Sequence, residues 1–183
     1  MTRIPSITNR DDVPAEAHPI FDSIAASRGA VRGPFAVLMH SPVLAGRMAD
    51  LGSFVRFESA LPPKVLQLAV SAAIRDCECA YEWATHVVSM RAAGVSEEAI
   101  DALRANGDIG ALPLEDQLPI RYARELVRDH KLTDETFRAM HAVLGDRGIA
   151  ELTGSIGYYT MLACVLNGLE VPPAPDGDKL PAH

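Results

Sequence analysis

From Ala15 onward, apolar residues recur every three to four positions, the spacing that lays them along one side of an α-helix. Ala17, Ile20, Phe21, Ile24 and Ala25 make the first such stripe, and Gly29 is a natural stop for it. Residues 1–13 have no period and read as an extended arm. After the turn signal Arg32-Gly33-Pro34 and the segment FAVLMHSP, Pro42 introduces a second run, Val43 to Phe57, with Leu44, Met48, Leu51 and Val55 on one face. The pair Pro62-Pro63 closes that helix and opens the next, because proline is tolerated in a first helical turn.

The run from Pro63 to Gly94 organises the chain. Val65, Leu68, Ala69, Ala72 and Ala73 form a stripe of partly small residues suited to close helix contact, and a break near Arg75-Asp76 is expected because an uncapped run to Ala93 is unusually long. Gly94 ends the second half; Ser96, with Glu97 and Glu98 behind it, caps a helix to Ala105. Beyond the loop GDIGALP, a helix is expected over Leu114 to His130, burying Leu118, Tyr122, Leu126 and Val127, with its onset free to slip to about residue 116 because of Pro119. Thr133-Asp134-Glu135 starts a further helix through Leu144. The last run, Ile149 to Leu169, carries Leu152, Ile156, Tyr159, Leu162, Ala163 and Leu166. No strong two-residue alternation occurs, so the fold class is all-α, a helical bundle. The organisation expected is an N-terminal arm and helix over 1–30, one domain over 31–171, and a Pro-rich tail over 172–183 that is mobile or packs on a neighbour.

Composition adds three constraints. A hydrophobic fraction of 48% in 183 residues, with mean hydropathy +0.07, is high for a monomer and points to a homo-oligomer. No apolar run approaches the roughly 20 residues that span a bilayer, and the N-terminus lacks a secretory apolar region, so a cytoplasmic protein without membrane contact is expected. A net charge of −7 without any basic run argues against nucleic acid as a partner.

Chemistry concentrates in Cys79-Ala80-Tyr81-Glu82-Trp83-Ala84-Thr85-His86. On a continuous helix Cys79, Glu82 and His86 share one narrow stripe. A carboxylate four residues before an imidazole can orient the ring and act with it as a general acid/base, while Tyr81 and Trp83 could wall the site with apolar surface. The imidazolium would activate the Cys79 thiol and the carboxylate would oppose it. The plainer alternative is an ordinary helix pair beside a small apolar cysteine. Cys77 is two positions away, so a Cys77–Cys79 disulfide is disfavoured, and Cys164 reads as core. A zinc site from Cys79, Glu82 and His86, with His40 or His141, matches no strong zinc signature; no metal and no cofactor are expected. His18, His130 and His183 read as solvated.

These residues resemble the carboxymuconolactone decarboxylase/alkyl hydroperoxidase D superfamily, in its branch with a C-x-Y-E-W-x-x-H signature. The resemblance extends through Gly33 to Pro42, the L-P-P segment before the central run, Ala93 to Ile100, and the late E-L-T run with Tyr158-Tyr159. It implies an alkyl hydroperoxidase D-like, oligomeric helical fold (dimer, trimer or hexamer) and a small-molecule substrate. It also implies two chemistries: cofactor-free decarboxylation of a carboxylated lactone in aromatic compound degradation, or thiol-dependent hydroperoxide reduction through C-x-x-C-x-x-x-H. In the peroxidase pattern the first Cys falls on Cys79 and the His on His86, but the second Cys falls on Glu82 and an upstream relay Glu on Gln67. The acid/base lyase reading therefore suits this sequence better than the peroxidase one. His86 would move the proton, Glu82 would orient it, and Cys79 would be a polarisable or reactive wall. Substrate contacts are expected from His40, Trp83, Tyr81, Arg32, Arg56 and Gln67, the arginines anchoring an anionic substrate. A non-catalytic helical oligomer is the third reading.

Overall fold

The computed structural model describes residues 2–181, and the expectation for His183 lies outside them. The described residues form helices α1 (His18–Arg28), α2 (Pro34–Leu38), α3 (Pro42–Ser53), α4 (Pro63–Asp76), α5 (Ala80–Ala92), α6 (Glu97–Arg104), α7 (Leu114–Arg124) and α8 (Asp134–Gly168), and no strand. They fall into two compact units, residues 2–59 with 165–172, and residues 60–164 with 173–181.

In the first unit α1 packs on α3, burying Ala17, Phe21 and Ile24 as the period requires. The face of α3 is rotated from the expected one. Ala45, Met48, Ala49 and Gly52 are buried, whereas Leu44 and Leu51 are exposed, because the small residues let α1 approach closely: Ile20 sits 3.2 Å from where a Cβ on Gly46 would be. The arm is tied down by backbone bonds from Arg3 N–H to the Leu169 carbonyl and from Ile7 N–H to the Ala36 carbonyl, both 2.9 Å.

In the second unit α4 lies against α5 and α7, and α6 rests on α4 and α5. Leu68, Ala69, Ala72 and Ala73 are fully buried, with Val65 half-buried at the edge. Lys64 Nζ reaches the buried Asp116 Oδ1 at 2.6 Å, joining the starts of α4 and α7. α7 begins at Leu114 with Pro119 inside it, then widens into a π turn over Glu125–Asp129. Its buried side is Ile120, Tyr122 and Ala123, leaving Leu118, Leu126 and Val127 half-buried. The Pro-rich tail packs on its own chain. Asp178 accepts from the Trp83 indole N–H at 3.2 Å and from Arg104, and Pro181 O accepts from Arg75 Nη2 at 3.3 Å. Gly177 is needed there, since a Cβ would lie 2.7 Å from the Cβ of Ala84.

α8 is two helices joined at Gly145, whose φ of 66° and ψ of −178° belong to a region only glycine occupies freely. The expected stop at Leu144 and restart near Ile149 is this break. Gly145→Ala should lower stability by about 1–3 kcal/mol in urea unfolding; an unchanged midpoint would show that the break relaxes freely. One 18-residue window of α8 is apolar enough, and the helix long enough, to cross a membrane by length and composition alone, although no unbroken apolar run of that length occurs; 44% of that window is buried inside the protein.

Candidate active site

The break in the central run comes at Cys77-Glu78-Cys79, slightly later than expected, and has a specific geometry. Glu78 takes a left-handed φ of 51°, its N–H bonds to Arg75 O, and Cys79 N–H bonds to Ile74 O, both at 3.0 Å. That double closure is a Schellman cap with glutamate in the position glycine usually holds. Cys79 thereby leaves the helical stripe and becomes the N-cap residue of α5 (φ −87°, ψ 87°), while Glu82 and His86 remain on α5. The expected three-residue stripe is thus a two-residue stripe with a thiol at its mouth.

Both members of the pair are buried, with Glu82 7% and His86 4% exposed. His86 Nε2 is 3.6 Å from Glu82 Oε2, within ion-pair range but too long for a direct hydrogen bond. The other ring nitrogen, Nδ1, lies 2.9 Å from Gln67 Oε1 on α4. With the amide oxygen facing the ring, Nδ1–H donates and Gln67 accepts, which directs Nε2 at the carboxylate. Tyr159 of α8 stands edge-on to the imidazole, centroids 4.6 Å apart at 86°, and Tyr158 stands edge-on to Tyr159 at 5.2 Å. Three groups from three helices, Glu82, Gln67 and Tyr159, therefore surround one ring. The sequence placed Tyr159 in the core stripe of α8; only its ring contact with His86 identifies it as a wall of the site.

Cys79 is fully buried, and its thiol is pushed up to about 12, chiefly by burial; the backbone amide of Glu82 acts oppositely and the Glu82 carboxylate adds to the rise. At neutral pH burial therefore favours the neutral thiol over the thiolate. Burial also raises Cys77, which is half-buried. Cys164, expected in the core, is exposed: Leu162, Ala163 and Leu166 take the buried face of α8 and leave Cys164 outside it.

Of the other expected site residues, Trp83 is fully buried and spends its N–H on the tail, and Tyr81 is half-buried. Arg32, His40 and Arg56 belong to the first unit and are exposed. There, His40 Nε2 is 2.8 Å from the Pro5 carbonyl, the backbone-satisfying role open to it from the sequence, and the Arg56 guanidinium lies 5.1 Å from the Phe57 ring centre. His18, expected to be solvated, is half-buried with Nε2 3.2 Å from Val13 O; His130 is exposed. Among the described residues no three His, Cys, Asp or Glu side chains gather as metal ligands.

Residues 42–116 match the carboxymuconolactone decarboxylase family. No curated protein matches the chain significantly. Solved structures share its fold. An uncharacterized peroxidase-related protein from Ralstonia eutropha JMP134, described as an alkylhydroperoxidase AhpD core, superposes with a TM-score of 0.75 at 14% identity, covering 96% of this chain and 93% of that one. A peroxidase-related protein from Silicibacter sp. TM1040 gives 0.71 at 15% identity over 96% and 93%. A protein of unknown function from Agrobacterium tumefaciens gives 0.66 at 16% identity, covering 79% of this chain and 100% of that one.

Proposed function

We propose that this chain, which matches the carboxymuconolactone decarboxylase family over residues 42–116 and shares its fold with alkylhydroperoxidase-like structures, is a cofactor-free acid/base enzyme acting on a small organic acid or lactone. The observation that carries this reading is the division of labour at His86. Gln67 occupies Nδ1 with an amide, which holds a ring but cannot take a proton from it. All proton traffic then passes through Nε2, which faces Glu82 across 3.6 Å. That gap leaves both atoms free to exchange a proton with a third group, as protonation of a carbanion or dienolate after loss of carbon dioxide requires. Burial strengthens the pair's electrostatics by excluding water. The Cys79 thiol would line the site as a neutral, polarisable group.

Thiol-dependent hydroperoxide reduction is the second reading, favoured by the description of two similar structures as peroxidase-related. Two features oppose it: the protonated, buried Cys79, and Glu82 where the peroxidase pattern has a resolving cysteine. The two readings separate in one assay, hydroperoxide consumption with a dithiol reductant, run on wild type, Cys79→Ser and Glu82→Gln. The expected result is no turnover dependent on Cys79, with carboxylated lactones then screened for carbon dioxide release. Turnover in wild type that vanishes only in Cys79→Ser would overturn the lyase reading.

Self-association and a cytoplasmic location form part of the proposal. Val43 and Phe57 in the first unit, and Val88, Leu114 and Val143 in the second, are each more than 60% exposed, apolar surface that an oligomer would cover.

A further inference from the structure

A second polar cluster, unused by the acid/base reading, lies where the C-terminal tail crosses the second unit. Asp178 Oδ1 accepts from the Trp83 indole N–H at 3.2 Å and from Arg104 Nε at 3.3 Å, and Oδ2 accepts from Arg104 Nη2 at 3.3 Å. The donors belong to α5 and α6, so the helices supply a socket and the tail supplies its plug. Asp101, one turn earlier on α6, holds the Arg104 guanidinium from the other side. All three bonds to Asp178 are longer than the about 2.7–2.9 Å of a well-seated charge-assisted pair, so a carboxylate tethered to the tail does not reach the best position in the fork. Arg75 borders the same socket. It is 1% exposed and has only uncharged acceptors: Nε donates to Arg104 O at 2.9 Å and Nη2 to Pro181 O at 3.3 Å, while Nη1 is buried with no acceptor among the described residues. A buried guanidinium that meets no carboxylate makes this corner electropositive.

Next to Asp178 is a cavity of about 260 Å³, lined by Ala80 at the start of α5 and by Pro173, Pro175 and Leu180 of the tail. Its walls are mainly apolar, and its volume falls just below the roughly 300 Å³ at which pockets for drug-sized ligands begin. We propose that Trp83 and Arg104 form a binding site for a small organic carboxylate, and that Asp178 is its built-in occupant, which an external acid displaces. The incoming carboxylate takes the indole N–H and the guanidinium fork, its apolar body enters the cavity, and Asp178 turns out to solvent. Arg75 adds positive charge behind the fork. This site goes beyond the Glu82–His86 reading and does not depend on it.

The test uses the full-length protein labelled with nitrogen-15, whose single tryptophan gives one indole N–H signal. Sodium benzoate is the probe, with benzamide and sodium chloride at matched concentrations as controls. Asp178→Ala should move the indole signal, and benzoate should return it toward the wild-type position. Half-saturation should come at a concentration about tenfold lower than in wild type, where the tethered carboxylate competes at an effective concentration of about millimolar. Asp178→Asn, which keeps the shape and loses the charge, should also bind benzoate more tightly than wild type. Adding Arg104→Lys to Asp178→Ala keeps the charge, removes the fork, and should weaken benzoate binding by about tenfold. Equal responses to benzoate and benzamide would overturn the proposal. So would equal half-saturation in wild type and Asp178→Ala, or an Asp178→Ala indole signal that benzoate leaves in place up to its solubility limit. Because the signal reports binding without turnover, the outcome is separate from that of the lactone screen.

Discussion

Replacing His86 with glutamine should reduce turnover of the substrate found in the lactone screen by about 10²–10⁴-fold in kcat/KM, the usual contribution of a positioned general acid/base. Glutamine can still hydrogen-bond to Gln67, so the fold has little reason to collapse, but it has no proton to move at the position of Nε2. Glu82→Gln should reduce turnover as well, since Nε2 then faces an amide in place of a carboxylate. Light scattering on the same proteins separates chemistry from architecture. Lost turnover with unchanged mass supports a site; lost assembly supports a structural role for the pair; turnover within a few-fold of wild type sinks the acid/base reading.

Trp83→Ala should be the most destabilising single change considered for this chain, lowering the unfolding free energy by about 3–5 kcal/mol, the usual cost of removing a fully buried tryptophan. Against a typical total of about 5–15 kcal/mol, that is a large share. The indole fills the core side of α5 and also bonds to the tail through Asp178, with the Arg104 guanidinium 5.9 Å from the ring centre. Trp83→Phe isolates the second role: it keeps most of the volume, loses the N–H, and should cost about 1 kcal/mol plus the small packing difference. Urea unfolding of both variants checks this. A loss below about 1.5 kcal/mol for the alanine variant would mean that the site collapses around the deletion and that the indole is not what holds this corner.

How much the sequence reveals depends on whether a feature is set by local period or by which face meets a neighbour. The helices of α4, α6 and α8 follow from stripes and caps such as Ser96, whose side chain accepts from Ala99 N–H as its position implies. Gln67, Glu82 and His86 could be singled out from spacing and resemblance, and the fold brings all three together. What failed was facing. Leu44 and Leu51 are the larger residues on α3, but close approach selects the small ones. Cys164 sits in an apolar stretch, yet a half-exposed helix needs only one apolar side, and an apolar sequence cannot say which residue is left out. Cys79 left the stripe because Glu78 adopts a left-handed conformation that nothing in its side chain announces. The tail looked loose because proline-rich composition says nothing of Asp178 finding an indole and a guanidinium.

That last contact makes the protein its own optical gauge. The chain has a single tryptophan, so its fluorescence comes from one place, a dry pocket where a carboxylate from the tail touches the indole nitrogen. Emission should be blue while the tail is seated and shift red when it lifts, before the helices themselves melt. A ligand that rearranges only Glu82 and His86 would leave the colour of Trp83 nearly unchanged, whereas one that dislodges the C-terminal segment would announce itself without any added dye.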